Sequence, residues 1–132
     1  MATMSLLGWF AIALGGALGA IARFAMSHHV YQWFGRDFAW GTLSVNVLGS
    51  FIMGLVAVLL VDKLDASPEW RAFIMVGFLG AFTTFSTFSF ETMQYIQIGE
   101  FNKALLNMAL SLISCLVAVW GGLIMGRHFL TT

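Results

Sequence analysis

Charge is the scarcest thing in this chain. Lysine, arginine, aspartate and glutamate make up 9% of its 132 residues, six basic against six acidic. A net charge of zero removes the electrostatic case for binding nucleic acid. Cysteine occurs once, at Cys115 inside an apolar run, so no intrachain disulfide can form and the thiol reads as packing. No basic cluster precedes the first apolar segment: the first arginine, Arg23, follows it. That segment therefore reads as a retained span rather than a cleaved signal peptide. Metal chelation finds little support, since His28 and His29 are adjacent and would point in different directions on a helix.

What the chain does hold is apolar. It is 60% hydrophobic with a mean hydropathy of +0.90, more than a soluble domain of this length could hide, so its solvent is lipid. Four apolar segments, at about 5–26, 40–61, 70–97 and 104–127, are each long enough to cross a bilayer. The connections between them are short. The expected fold is an all-α membrane protein of four transmembrane helices, a single domain over residues 1–132.

One stretch departs from lipid-facing composition. Gly77 to Glu91 reads G-F-L-G-A-F-T-T-F-S-T-F-S-F-E in the middle of the third span. Thr83, Thr84, Ser86, Thr87 and Ser89 crowd hydroxyls into about two turns, interleaved with Phe82, Phe85, Phe88 and Phe90. Gly77 and Gly80 loosen the helix just upstream. One or two hydroxyls could simply bond back to carbonyls a turn earlier. This density instead suits a polar passage, or a helix broken inside a protein-lined cavity.

The other spans add to it. Gly15, Gly16 and Gly19 form a small-residue pattern in the first span, as Gly122 and Gly126 do in the fourth, and both permit close helix approach. Arg23 near the first span's end either snorkels to the headgroups or acts at depth. The segment after it, rich in Tyr31, Trp33 and Trp40, reads as an interfacial loop. Thr42, Asn46 and Ser50 share a face of the second span. The Asn46 amide must find partners, either on a neighbouring helix or on an anion. Ser67, Pro68 and Glu69 read as an N-cap, a first-turn proline and a dipole-compensating carboxylate. Gly99 marks a helix stop and Asn102 a cap for the fourth span. Asn107, Ser111 and Ser114 then fall on one face of that span, as packing or as pathway. Glu91 and Arg23 are candidates for structural or gating charges.

Charge placement bears on assembly. Lys63, Arg71 and Arg127 fall on the side of the termini, Arg23, Arg36 and Lys103 on the other. Three against three gives no positive-inside bias. Either something else sets topology or both orientations are used. In the second case two copies can pair about a two-fold axis in the membrane plane, bringing the same polar stretch from each copy near the midplane. Four helices alone leave little lumen, which also favours a homodimer with its pathway at the subunit interface.

Taken together, the glycine-rich first span ending in Arg23, G-T-L-S-V-N in the second and G-x-x-G-A-F-T-T-F-S-T-F-S in the third resemble the Fluc (CrcB) fluoride channel family. The resemblance covers essentially the whole chain in span count and spacing. It implies an antiparallel, dual-topology homodimer in the plasma (inner) membrane of a prokaryote, passing fluoride ion passively out of the cell, with no enzymatic activity. It places the family's pore phenylalanines on Phe85 and Phe88 and its pore asparagine on Asn46. Its polar track falls on Ser86, Ser89 and Ser111, beside Thr42 and Ser114 from the faces above. A break in the third helix would hold a structural Na+ at the dimer centre through the backbone carbonyls of Gly80 and Thr83. The chemistry suits fluoride: hydroxyl and amide donors replace its water without a fixed positive charge, and phenyl rings offer positive edges. The competing reading is a small multidrug-type proton-coupled exporter, also four-span and dual-topology. That activity needs a deep carboxylate, usually in the first span, whereas here the only intramembrane acid is Glu91 in the third.

Overall fold

The computed structural model describes residues 3–129, which are helical throughout apart from short connections, with no strand among them. The first helix, α1 (Leu6–Phe34), starts where the Ser5 hydroxyl accepts the Gly8 N–H at 3.1 Å and stops at Gly35, whose φ of 83° an L side chain would resist. It therefore carries on through His28, His29, Tyr31 and Trp33, which sequence placed in a loop. Nothing in that stretch breaks a helix before Gly35.

Helix α2 (Trp40–Lys63) widens to π-helical turns over Val58–Lys63. Helix α3 (residues 68–82) opens as the sequence indicates, with the Ser67 hydroxyl accepting the Trp70 N–H and Pro68 in the first turn. Its wide turns over Ala72–Leu79 lead into Gly80–Phe82. Two extended residues follow, then α4 (Phe85–Gln97), which ends ahead of Gly99 at φ 81°. Helix α5 (Phe101–Phe129) begins one residue before Asn102, so Asn102 lies inside its first turn rather than capping it. The Glu100 carbonyl accepts the Ala104 N–H there. Four helical runs, with α3 and α4 counted as one, are long and apolar enough to cross a membrane.

Glycines set the packing, pairing α1 with α3 and α2 with α5. A Cβ on Gly15 or Gly19 would collide with the carbonyls of Phe73 or Phe78, and one on Gly54 or Gly122 with those of Val119 or Phe51. Backbones thus meet directly, as close packing in lipid requires. The interior is small: Val45 is 0% exposed, Leu79 1% and Asn107 1%. Large apolar side chains such as Trp9, Phe24, Leu112 and Trp120 face outward. On one side of the bundle the Ser5 hydroxyl donates to the Glu69 carboxylate at 2.9 Å, joining the starts of α1 and α3. On the opposite side Phe38 stacks on Tyr95 and Tyr31 reaches Glu91.

Candidate functional site: a parted helix between two cavities

Between α3 and α4 the backbone leaves the helix for two residues, Thr83 (φ −85°, ψ 156°) and Thr84 (φ −151°, ψ 117°). Unpaired backbone at this depth would cost several kcal/mol. Asn46 on α2 removes that cost at Thr84. Its Nδ2 donates to the Thr84 carbonyl at 2.9 Å, and the Thr84 N–H donates to its Oδ1 at 2.7 Å. One turn further along α2, Gly49 leaves room for the gap, since a Cβ there would strike Thr83 Cγ2. The Thr84 hydroxyl is the centre of a polar cluster. It accepts the Thr87 N–H at 3.2 Å as the cap of α4, donates to Thr87 Oγ1 at 3.1 Å, and lies 3.3 Å from Ser86 Oγ.

These bonds alter two carbonyls. In an unbroken helix the Thr84 N–H would close on Gly80 O and the Thr87 N–H on Thr83 O. The first goes to Asn46 and the second to the Thr84 hydroxyl. Neither carbonyl is closed by its own i+4 amide. His, Cys, Asp and Glu form no cluster of three able to hold a metal among the described residues. Main-chain oxygens of the kind at the break suit a hard cation.

A groove of about 540 Å³ runs along the outside of the break, lined by Asn46, Ser50, Thr83, Thr84, Phe85, Phe88, Ser111 and Cys115 among others. Phe85 is 79% exposed, with its ring centroid 5.5 Å from that of Phe88. Ser111 is buried and donates to Asn107 Oδ1 at 3.5 Å. Asn107 Nδ2 donates to Thr92 Oγ1 at 3.0 Å, and the Thr92 hydroxyl to Phe88 O at 2.8 Å. A polar ladder from α5 thus ends beneath the phenyl pair. Ser86 is exposed beside Thr84. Ser89 donates back to Phe85 O at 2.9 Å, and neither it nor half-buried Ser114 lines the groove. Thr83 likewise donates to Leu79 O, so the simple back-bonding role holds for these two hydroxyls of the cluster.

Thr84 also lines a second cavity of about 260 Å³ with Arg23, Ser27, Thr42 and Thr87. Thr42 thus faces away from the groove that Asn46 and Ser50 share. Its hydroxyl donates to Glu91 Oε1, and the Tyr31 hydroxyl donates to Oε2 at 3.3 Å. Arg36 sits over the Tyr31 ring at 4.8 Å. Glu91 is therefore held by two hydroxyls rather than by a cation. Sequence reading passed over Thr84 as a centre and Tyr31 as a partner. The Thr84–Thr87 spacing before a new helix was a signal for the first. Nothing local links Tyr31 to a carboxylate 60 residues away.

Comparison with known proteins bears on this arrangement. Residues 10–123 match the family described as CrcB-like protein, Camphor Resistance (CrcB). The chain is 57% identical over 129 residues to a fluoride-specific ion channel FluC of Hydrogenovibrio crunogenus, covering 98% of each chain. A protein of the same name from Magnetococcus marinus is 53% identical over 116 residues, 88% of this chain and 94% of that one. One from Geobacter sulfurreducens is 46% identical over 118 residues, 89% and 95% of the two chains.

Proposed function

We propose, from the premise that this chain belongs to the CrcB family, that it is a fluoride-selective ion channel. It lets cytoplasmic fluoride leave passively and so limits fluoride toxicity. The relatives named above are fluoride-specific channels, not enzymes. The observation that carries the reading is the groove at the parted helix. There exposed Phe85, Phe88, the Asn46 amide and the Thr84 and Ser111 hydroxyls line one surface. Such a surface offers close hydrogen-bond donors and ring edges without a cation that would trap the ion. The second cavity, beside Arg23 and Thr42, shares Thr84 with the groove, and in this reading it is the approach to it.

The groove is open along the flank of one protomer, so a second copy completes the pathway. The equal division of basic residues between the two sides supports an antiparallel pair, inserted in both orientations in a prokaryotic inner membrane. Within that pair, the carbonyls of Gly80 and Thr83, freed from their helical amides, would hold a sodium ion. When bound it supplies positive charge near the anion's route. Asn46, Phe85 and Phe88 contact fluoride directly in this reading. Thr42, Ser86 and Ser111 extend the polar lining. Ser89 and Ser114 stand outside the lining that one protomer provides, and Arg23 and Glu91 are charges along the approach.

Purified protein in liposomes loaded with fluoride and chloride tests the proposal. Fluoride release under a potassium–valinomycin clamp, without chloride release and without a proton gradient, is the expected result. Retention of fluoride would refute it. Proton-driven uptake of an organic cation would replace it with the exporter.

A further inference from the structure

The pairing of Asn46 with Thr84 has a consequence beyond lining a pathway. An asparagine side chain carries a carbonyl acceptor and an NH2 with two donors, so one edge of its amide presents an acceptor beside a donor. Here it takes both backbone groups of a single residue, as a neighbouring strand would. The Thr84 N–H that it accepts is the amide that would otherwise close on Gly80 O. We infer that Asn46 is a positioning residue for the cation site. By taking the Thr84 amide out of the helical ladder, it keeps the third span parted and the Gly80 carbonyl available to sodium. This inference rests on the channel reading for its biological meaning, but its geometry can be tested without transport.

Three observations point the same way. Thr84 is buried, so water offers its amide no easy substitute partner. The Thr87 N–H is already held by the Thr84 hydroxyl, so the restart of α4 does not depend on Asn46. The adjoining Thr83 hydroxyl and N–H both go to Leu79 O, which ends α3 at its own last turn and leaves the Gly80 carbonyl as the next one unclosed. Without Asn46, the acceptor that a continuous helix would give the Thr84 amide is Gly80 O, and taking it would remove a ligand from the cation. The amide therefore does two separable things. Its oxygen holds the backbone, and the second N–H of Nδ2 remains for an anion.

Asn46→Ala removes both bonds to Thr84. The readout is the sodium concentration at half-maximal thermal stabilisation, measured on detergent-solubilised protein. It should rise at least about tenfold in Asn46→Ala, the worth of one to two hydrogen bonds. An unchanged midpoint in Asn46→Ala overturns the inference. Wild-type protein gives a second readout that no folding defect can obscure. With [15N]threonine and [4-13C]asparagine, solid-state NMR in bilayers should show the Asn46 Cγ–Thr84 N contact equally in sodium and in N-methylglucamine. Its loss on sodium withdrawal would mean that the cation, not Asn46, parts the helix, and the inference would fall. Fluoride release from the same preparation is scored separately: a persistent contact without flux refutes the channel reading alone.

Discussion

Replacing Thr84 with valine keeps the volume and removes the hydroxyl on which the restart of α4 depends. That oxygen accepts the Thr87 N–H at 3.2 Å and is the cap of the helix. Losing an N-cap costs about 1 kcal/mol at an ordinary surface, and up to about 2 kcal/mol where water cannot replace it. Thr84 is only 8% exposed, so the larger figure applies. At about 1.4 kcal/mol per decade, opening of the first turn of α4 becomes about 30-fold more frequent. Phe85 and Phe88 lie in that turn, so the phenyl pair loses its fixed register and fluoride flux falls with it. Hydrogen exchange at the Thr87 amide in nanodiscs reads the first effect, and liposome efflux reads the second. Thr84→Ser retains the oxygen and should restore both. If Thr87 exchange in Thr84→Val stayed within about twofold of wild type, the hydroxyl would not be the cap, and the link between break and pathway would be lost.

Phe85→Ile keeps an apolar side chain at a site that is 79% exposed in the protomer, so folding is spared. Flux should drop at least about tenfold with an unchanged elution volume on size exclusion, because an aliphatic group has no positive edge to offer an anion. Gly122→Val sets a side chain against the Phe51 carbonyl and the Leu55 N–H, and should destabilise the α2–α5 pair by about 1–3 kcal/mol in SDS titration. Gly121→Ala, whose Cβ meets nothing closer than Phe51 Cδ2 at 4.0 Å, should behave as wild type in the same titration.

The helices were legible because their signals are local: apolar length, the Ser67-Pro68 start and the stop at Gly99, although the first helix was read as ending short of Gly35. The small-residue pattern of Gly15, Gly19, Gly122 and Gly126 announced close packing but not its partners, which depend on how α1 meets α3 and α2 meets α5. Asn102 misled because a capping residue was sought at an asparagine, while α5 starts from Glu100 and Phe101. At the site, the hydroxyl-rich stretch was plain in sequence, yet the role of each hydroxyl was not. Thr83 and Ser89 bond back within their own helices, whereas Thr84, between them, binds outward to α2. That difference arises from two extended residues and a partner 38 positions away. No periodicity encodes it.

Topology is the remaining element open to test, and the structure makes the test clean. Arg36 and Lys103 both lie on the side of the bundle that holds Tyr31 and Tyr95, each over one of those rings. Lys103 also pairs with Glu100 at 2.8 Å, and both partners are substantially exposed. Exposed contacts of this kind contribute at most about 1 kcal/mol, so Arg36→Gln with Lys103→Gln should leave the fold standing. The double variant leaves Arg23 alone on that side against Lys63, Arg71 and Arg127 on the other. Three against one restores a positive-inside bias, and every copy should insert with the Lys63 side in the cytoplasm. Copies of one orientation cannot pair antiparallel, so the variant should fold yet pass no fluoride when expressed alone. Lys63→Gln with Arg127→Gln biases the chain the other way and should be silent alone for the same reason. Expressed together, the two variants supply both orientations, and flux should return. Full flux from either one alone, with a single orientation shown by cysteine accessibility from the two sides, would exclude the antiparallel pair. The open groove would then need another partner.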